Sequence, residues 1–180
     1  YLSTAVLSAT LLLALGDTAE QNDVLPRIAA GGLITSVAFA EPGSARPAEV
    51  PLTVAARNAD DWRLTGTKAY VLDAAVAQRF YVHARTEAGT AMFAVDPTAP
   101  GLDISPSSTV DQTRKQGTLT LADTPARLIG SADAGGSALA EALDRAAVAL
   151  LAEQSGGAMH TMRMAADYAY DFAGLAEYFA

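Results

Sequence analysis

The sequence contains no cysteine. Disulfide bonds and thiolate metal sites are therefore excluded, and we expect a reducing compartment, the cytoplasm. Basic residues are also scarce, because 12 Lys and Arg against 20 Asp and Glu leave a net charge of -8. Since neutralising phosphates needs clustered Lys and Arg, we expect no nucleic-acid partner.

The sequence also lacks a convincing membrane segment. The apolar stretch at residues 1–16 includes four Ser or Thr residues and is shorter than the roughly 20 apolar residues that a membrane span needs. It has no basic flank of the kind found in signal peptides. We expect it to form a buried helix, and we expect no membrane span.

Common catalytic motifs are missing as well. The chain has no G-x-S-x-G, H-E-x-x-H, P-loop or G-x-G-x-x-G pattern. Its two histidines, His83 and His160, have no partner at the spacing of metal ligands, so we interpret both as structural. The sequence therefore predicts no metal site and offers no residue that we assign as catalytic.

What the sequence does contain is a change of pattern along the chain. Residues 1–32 are typical of helices, with Gly16 predicted to end one helix and Asp17 to cap the next. From 33 to 130, short β-rich runs alternate with turn residues, and after Gly130 the pattern is helical again, with Ser137 as the expected cap. This order predicts an α+β fold in which helical segments flank an antiparallel β-barrel or sandwich.

Five segments, in chain order, resemble motifs of the acyl-CoA dehydrogenase family. The second of them is similar to a hairpin of that family and would turn near Thr65-Gly66. Each motif is modest, but five in the right order are hard to obtain by chance. The segments are LGDTAEQNDVLPRIAAGGLITSVAFAEPGSA, DDWRLTGTKAYVLDA, FAVDPTAPGLDIS, TLTLADTPARLIG and LDRAAVALLAEQSGGAMHTMRMAADYA.

The resemblance implies a division into three parts. Residues 1–32 would end an N-terminal helical domain, 33–130 would form a β-barrel-like middle domain, and 131–180 would begin a C-terminal helical domain. The implied reaction is FAD-dependent α,β-dehydrogenation of an acyl-CoA thioester, in which a glutamate removes the α-proton. Implied partners are the acyl-CoA substrate, an electron-transfer flavoprotein and further subunits of a homo- or hetero-oligomer, usually a tetramer.

The resemblance also assigns site residues. The strand before Glu41 would lie along the flavin, with an aromatic residue and a hydroxyl supplied by the second motif. The loop after Glu41 and the long C-terminal helix would approach the substrate. The positions that correspond are Phe39, Ala40, Tyr70 and Leu72 for the flavin, and Arg46 and Asp144 for the substrate.

Several of these positions depart from the family pattern. Ala40 and Leu72 stand where the family carries hydroxyl side chains, and Ala147 replaces an arginine that often contacts CoA. Some relatives carry their base at the position of Ala146. We therefore keep two alternatives open, a dehydrogenase subunit whose base lies elsewhere and a degenerate, non-catalytic subunit of a hetero-oligomer. An acyl-CoA oxidase is a weaker third option, and a flavin-free β-barrel that binds small apolar ligands is a fourth.

Overall fold

The computed structural model describes residues 1–58 and 61–178. A π-helix, Leu2–Ser8, leads into helix α1 (Ala9–Leu15), which is followed by helix α2 (Thr18–Ala29). The expected junction between α1 and α2 is confirmed. Gly16 ends α1 in the left-handed conformation with φ 67°, and the Asp17 carboxylate accepts a hydrogen bond of 3.0 Å from the Glu20 amide.

Within the described residues, seven strands form one sheet that closes into a ring. The ring runs β4–β2–β3–β7–β5 and back to β4, while β1 is added to β4 and β6 to β7. This topology confirms the predicted α+β fold with a β-barrel between helices. The strands are β1 (Thr35–Ala38), β2 (Val54–Asn58), β3 (Asp61–Leu72), β4 (Arg79–Arg85), β5 (Thr90–Val95), β6 (Leu102–Pro106) and β7 (Gln116–Ile129).

Two pairings of the barrel are parallel, although the sequence predicted an antiparallel sheet. Strand β1 runs parallel to β4 from Thr35↔Arg79 to Ala38↔Val82. Strand β2 meets β4 through the single parallel pair Val54↔Arg85. The alternation of apolar and polar side chains predicts where strands lie but not which strands become neighbours. The two parallel pairings could therefore not be predicted from the sequence.

The predicted hairpin turn at Thr65-Gly66 is wrong. Strand β3 continues through it to Leu72, with a register shift against β7 between Leu64 and Gly66. Gly66 has φ 151°, and a Cβ atom there would lie 2.7 Å from the Cα atom of Thr53. Glycine is thus needed for close backbone approach within a bulged strand, not for a turn.

The long C-terminal helix, α3, extends from Gly135 to Tyr178. Its first turns pack on the barrel and bury Ala138, Leu139 and Ala142. Ser137 lies inside the helix and donates to the Ala134 carbonyl at 3.1 Å, so its predicted role as the cap is wrong. Across residues 1–58 and 61–178, no helix combines the length and hydropathy of a membrane-crossing segment.

The buried apolar residues form two clusters. One fills the barrel interior and includes Leu64, Phe80 and Phe93. The other lies between the barrel and the helices, and it joins Leu11 and Leu12 to Met92, Ile129 and Leu139. Apolar contact with the barrel therefore holds both α1 and the start of α3, and the two helices also pack against each other.

A buried carboxylate joins α2 to the barrel. Glu20 is 2% exposed and accepts hydrogen bonds from Arg79 at 2.9 Å and from the Tyr81 hydroxyl at 2.6 Å. Arg127 on β7 also binds it. Burial of the phenol, together with the carboxylate beside it, raises the pKa of Tyr81, so Tyr81 stays protonated and donates.

Candidate functional site

An apolar cleft of about 330 Å³ lies between the N-terminal π-helix, the barrel and α3. The barrel contributes residues from the end of β1 and from β3, and α3 contributes one face. Apart from Tyr70, every side chain in its wall is aliphatic or phenyl. The lining residues are Leu2, Leu7, Val37, Phe39, Ala40, Ala45, Tyr70, Leu72, Leu143, Ala146, Ala147 and Leu150.

The structure brings together the four residues that the sequence assigned to the flavin. Phe39, Ala40, Tyr70 and Leu72 all line this cleft, although they come from segments about 30 residues apart. Ala146 and Ala147, which the sequence resemblance aligned with a base and an arginine of some relatives, also line it. Neighbourhood in space supports the assignment of a common site but does not identify a ligand.

The two residues assigned to the substrate do not line the cleft. Arg46 is exposed in the loop after β1, where its amide is bound by the Ser44 hydroxyl at 3.2 Å. Asp144 is exposed on α3, next to the cleft residue Leu143. Both lie at the margin of the cleft, so their roles toward a substrate stay predictions.

The backbone is irregular where β3 enters the cleft. A second register shift against β7 falls between Lys68 and Val71, and Tyr70 between them has φ 57°. The Tyr70 side chain is 48% exposed. A non-glycine residue at positive φ is uncommon and costs free energy, so its occurrence at a cleft is a reason to suspect function.

A buried ion pair lies directly behind the cleft, and the sequence analysis missed it. The Lys68 ammonium is 2.8 Å from the Glu41 carboxylate, and both residues are at most 5% exposed. Glu41 also accepts hydrogen bonds from the amides of Leu52 and Thr53 and from the Thr53 hydroxyl, at 2.7–2.8 Å. A lone lysine in the apolar run Thr67–Leu72 was the available sequence signal.

Hydrogen bonding decides the charge of this pair. Burial alone would raise the pKa of Glu41, but the bonds from Lys68, Leu52 and Thr53 outweigh it and lower the pKa to about 2. Burial lowers the pKa of Lys68, and the carboxylate partly offsets that effect. Glu41 is thus a firmly ionised anchor, which makes it unsuitable as a base for a substrate proton.

A polar pocket of about 350 Å³ adjoins the cleft and shares Leu2 and Leu72 with it. Its wall includes Asp73, which accepts a hydrogen bond of 2.5 Å from the Ser3 hydroxyl. Arg114 and Glu153 form an ion pair across the same pocket and connect the loop before β7 to α3. The apolar cleft is therefore continued by a separate pocket whose wall carries charged side chains.

His83 lies on β4 at the wall of a separate cavity of about 320 Å³. It is 2% exposed, and neither ring nitrogen has a hydrogen-bond partner among the residues that the structure describes. Burial, with a smaller effect of nearby Lys68, lowers its pKa to about 4. The interpretation of His83 as structural stays a prediction. In the described part of the chain, no group of three or more His, Cys, Asp or Glu side chains could hold a metal ion.

The cleft fits the flavin that the sequence resemblance implies. An aromatic ring system can lie against apolar walls of this size, with Phe39 and Tyr70 as aromatic neighbours. No hydroxyl is present at Ala40 or Leu72, so polar atoms of a ring at these positions would bind main-chain groups. The residues present therefore suit the ring but would hold it with fewer side-chain hydrogen bonds.

Comparison with known proteins agrees with this geometry. Residues 36–124 match the family described as acyl-CoA dehydrogenase, middle domain. A glutaryl-CoA dehydrogenase from Mycobacterium smegmatis in complex with FADH2 is 27% identical with a TM-score of 0.72, over 81% of this chain and 39% of that one. The Tcur3481-Tcur3483 steroid ACAD is 36% identical with a TM-score of 0.67, over 81% and 38%.

A third structure, the ChsE4-ChsE5 complex from Mycobacterium tuberculosis, is 26% identical with a TM-score of 0.71, over 79% of this chain and 39% of that one. The chain thus spans about two fifths of the length of these structures. No protein of curated function matches it. With its middle domain at residues 36–124, the chain belongs to the acyl-CoA dehydrogenase family.

Proposed function

We propose that this chain is part of a subunit of an FAD-dependent acyl-CoA dehydrogenase and that the apolar cleft takes the flavin ring. The observation that carries the proposal is the meeting of Phe39, Ala40, Tyr70 and Leu72 in one cleft. The M. smegmatis relative was solved with FADH2, which supports the choice of cofactor. Bound FAD would supply the hydride acceptor for α,β-dehydrogenation.

The residues of this chain would bind and shield rather than take protons. No carboxylate or imidazole is among the side chains that line the cleft, and Glu41 is held in its ion pair. We therefore propose that the base lies outside the described residues. The aliphatic wall from α3 would exclude water from the reacting atoms, and an apolar acyl group suits that wall. Arg46 and Asp144, at the margin, would contact the CoA portion.

A degenerate subunit in a hetero-oligomer is the second candidate. Its support is the loss of polar groups at Ala40, Leu72 and Ala147, all of which line the cleft. One similar structure is the ChsE4-ChsE5 complex, and another is the Tcur3481-Tcur3483 steroid ACAD. In this proposal a partner chain would hold the competent flavin site, and the assembly would still pass electrons to an electron-transfer flavoprotein. The proposed compartment in both cases is the cytoplasm.

The visible absorption spectrum of the full-length protein tests the proposal. We expect a flavin band that bleaches when acyl-CoA is added, either with the protein alone or with the product of a neighbouring gene. A band that needs the second chain supports the degenerate subunit. If neither preparation shows a flavin band, both candidates are wrong.

Replacing Leu72 with threonine tests whether the flavin ring lies beside position 72. Its side chain lines the cleft, so a hydroxyl there could bind the flavin ring, and one hydrogen bond of about 1 kcal/mol tightens FAD roughly fivefold. Leu72→Val is the matched control, since valine has the shape of threonine without the hydroxyl. FAD titration of the apoprotein measures both. Equal affinities of the two variants would contradict a flavin ring beside position 72.

A further inference from the structure

Two segments of the chain form the proposed flavin wall, and each sits beside one member of the buried ion pair. Phe39 and Ala40 directly precede Glu41, while Tyr70 and Leu72 follow Lys68 on β3. The Lys68 ammonium donates to the Glu41 carboxylate at 2.8 Å and lies 3.4 Å from the Phe39 carbonyl oxygen. One lysine thus connects both segments.

The regular sheet fixes only part of the second segment, since Leu72 pairs with Gln116 on β7. Lys68 pairs with Leu119 and Val71 with Gly117, so Ala69 and Tyr70 lie in the register shift between them. The Ala69 amide instead donates to the Ala40 carbonyl at 3.0 Å. The position of Tyr70 therefore depends on contacts with residues 39–41 rather than on the ladder with β7.

Glu41 also fixes the loop that follows it. Its carboxylate binds the amides of Leu52 and Thr53 and thereby closes residues 42–51 into a loop with a fixed base. That loop contributes Ala45 to the cleft. Three parts of the cleft wall, the end of β1, the bulged segment of β3 and this loop, consequently meet at one carboxylate.

We infer that Glu41 and Lys68 are positioning residues for the cleft, which hold its flavin-facing wall in shape through a buried ion pair. The inference rests on the proposed function, because it assigns the pair an effect on flavin binding. Buried ion pairs add little stability over a neutral pair of similar volume, whereas they can fix one arrangement of the backbone. Replacing the ion pair with a neutral pair should therefore weaken flavin binding while leaving the stability of the fold nearly unchanged.

The double variant Glu41→Gln, Lys68→Met tests this separation in the full-length protein. It leaves no unpaired buried charge, so we expect a urea midpoint near that of the wild type. We expect the Kd for FAD to rise about tenfold, as the loss of a well-placed contact would cause, and the absorption band of bound flavin to shift. The control is Glu141→Gln, Arg145→Met, which removes an exposed ion pair of the same 2.8 Å length and should change neither quantity.

A double variant with the Kd and the band of the wild type would overturn the inference and leave the proposed function intact. If the double variant does not fold, Thr53→Val decides, because it removes only the 2.7 Å bond from the Thr53 hydroxyl to Glu41. For Thr53→Val we expect a rise in the Kd for FAD and a shift of the flavin absorption band, both smaller than those expected for the double variant. Wild-type values of both quantities in Thr53→Val would overturn the inference. A wild-type protein without flavin, alone and with its partner, would overturn the proposed function and this inference together.

Discussion

Replacing Glu20 with alanine should lower the free energy of unfolding by about 3 kcal/mol, because the change breaks a buried charge network. Glu20 is 2% exposed, and its carboxylate is the acceptor for Arg79, for Arg127 and for the Tyr81 hydroxyl. Without it, the buried hydroxyl of Tyr81 loses its partner. The two arginines are partly exposed and can regain water, which keeps the loss below that for a fully buried network.

Equilibrium unfolding in urea measures this loss. The matched control is Asp23→Ala, which removes a half-exposed carboxylate that binds the same Arg79 at 3.0 Å. Exposed ion pairs contribute little, so we expect this control to stay close to the wild type. The importance of Glu20 would be refuted if both alanine variants had the same stability.

Acidification is the second change with a large expected effect. The folded pKa of His83 is about 4, against 6.5 for the free side chain, so the unfolded chain binds a proton that the folded chain does not. The stability from His83 is therefore complete above pH 6.5 and is lost as the pH falls toward 4. A shift of this size corresponds to about 3 kcal/mol.

The groups around His83 determine the pH range over which this stability is lost. Lys68 and Glu41 act on the ring through their charges, and Glu49 and the first turns of α3 share its cavity. Glu41 has a folded pKa of about 2 against 4.5 for the free side chain, so its own stabilisation is lost only as the pH falls from about 4.5 to 2. The two losses are separable by pH.

Urea unfolding at pH 7, 5 and 4 checks the effect. The variant His83→Leu should show a much smaller decrease in stability between pH 7 and 4 than the wild type. The control His160→Leu changes the other histidine, which is exposed on α3, and should keep the wild-type decrease. A decrease of equal size in all three proteins would assign the pH dependence to other groups.

Local sequence signals predicted the parts of the fold that depend on local chemistry. The junction at Gly16 and Asp17 follows from the needs of helix ends, which a few neighbouring residues satisfy. The β-rich runs between residues 33 and 130 likewise predicted strands, because alternation is a local property. The family motifs added the grouping of Phe39, Ala40, Tyr70 and Leu72, which no local rule could have supplied.

Features that depend on distant partners escaped the sequence analysis. Thr65-Gly66 has the composition of a turn, yet the approach of Thr53 makes Gly66 part of a bulged strand. Glu20 lies in the first turn of α2, yet its partners are 59 and more positions away on β4 and β7. Glu41 and Lys68 are separated by 27 positions. Charge pairs of this kind form only when the barrel brings distant segments together, so the sequence alone does not predict them.

The way the barrel closes has a mechanical consequence. Strands β4 and β5 are joined by six residue pairs. Among the described residues, β2 and β4 are joined only by Val54↔Arg85 and by the 2.9 Å bond from the Arg85 amide to the Thr53 carbonyl. The ring therefore has a seam, and Thr53 on this seam is also bound by Glu41. If the contact between β2 and β4 opened transiently, Thr53 would move, and the loop that carries Arg46 would lose its fixed base at the same time. Local opening of the barrel would then also displace the margin of the cleft.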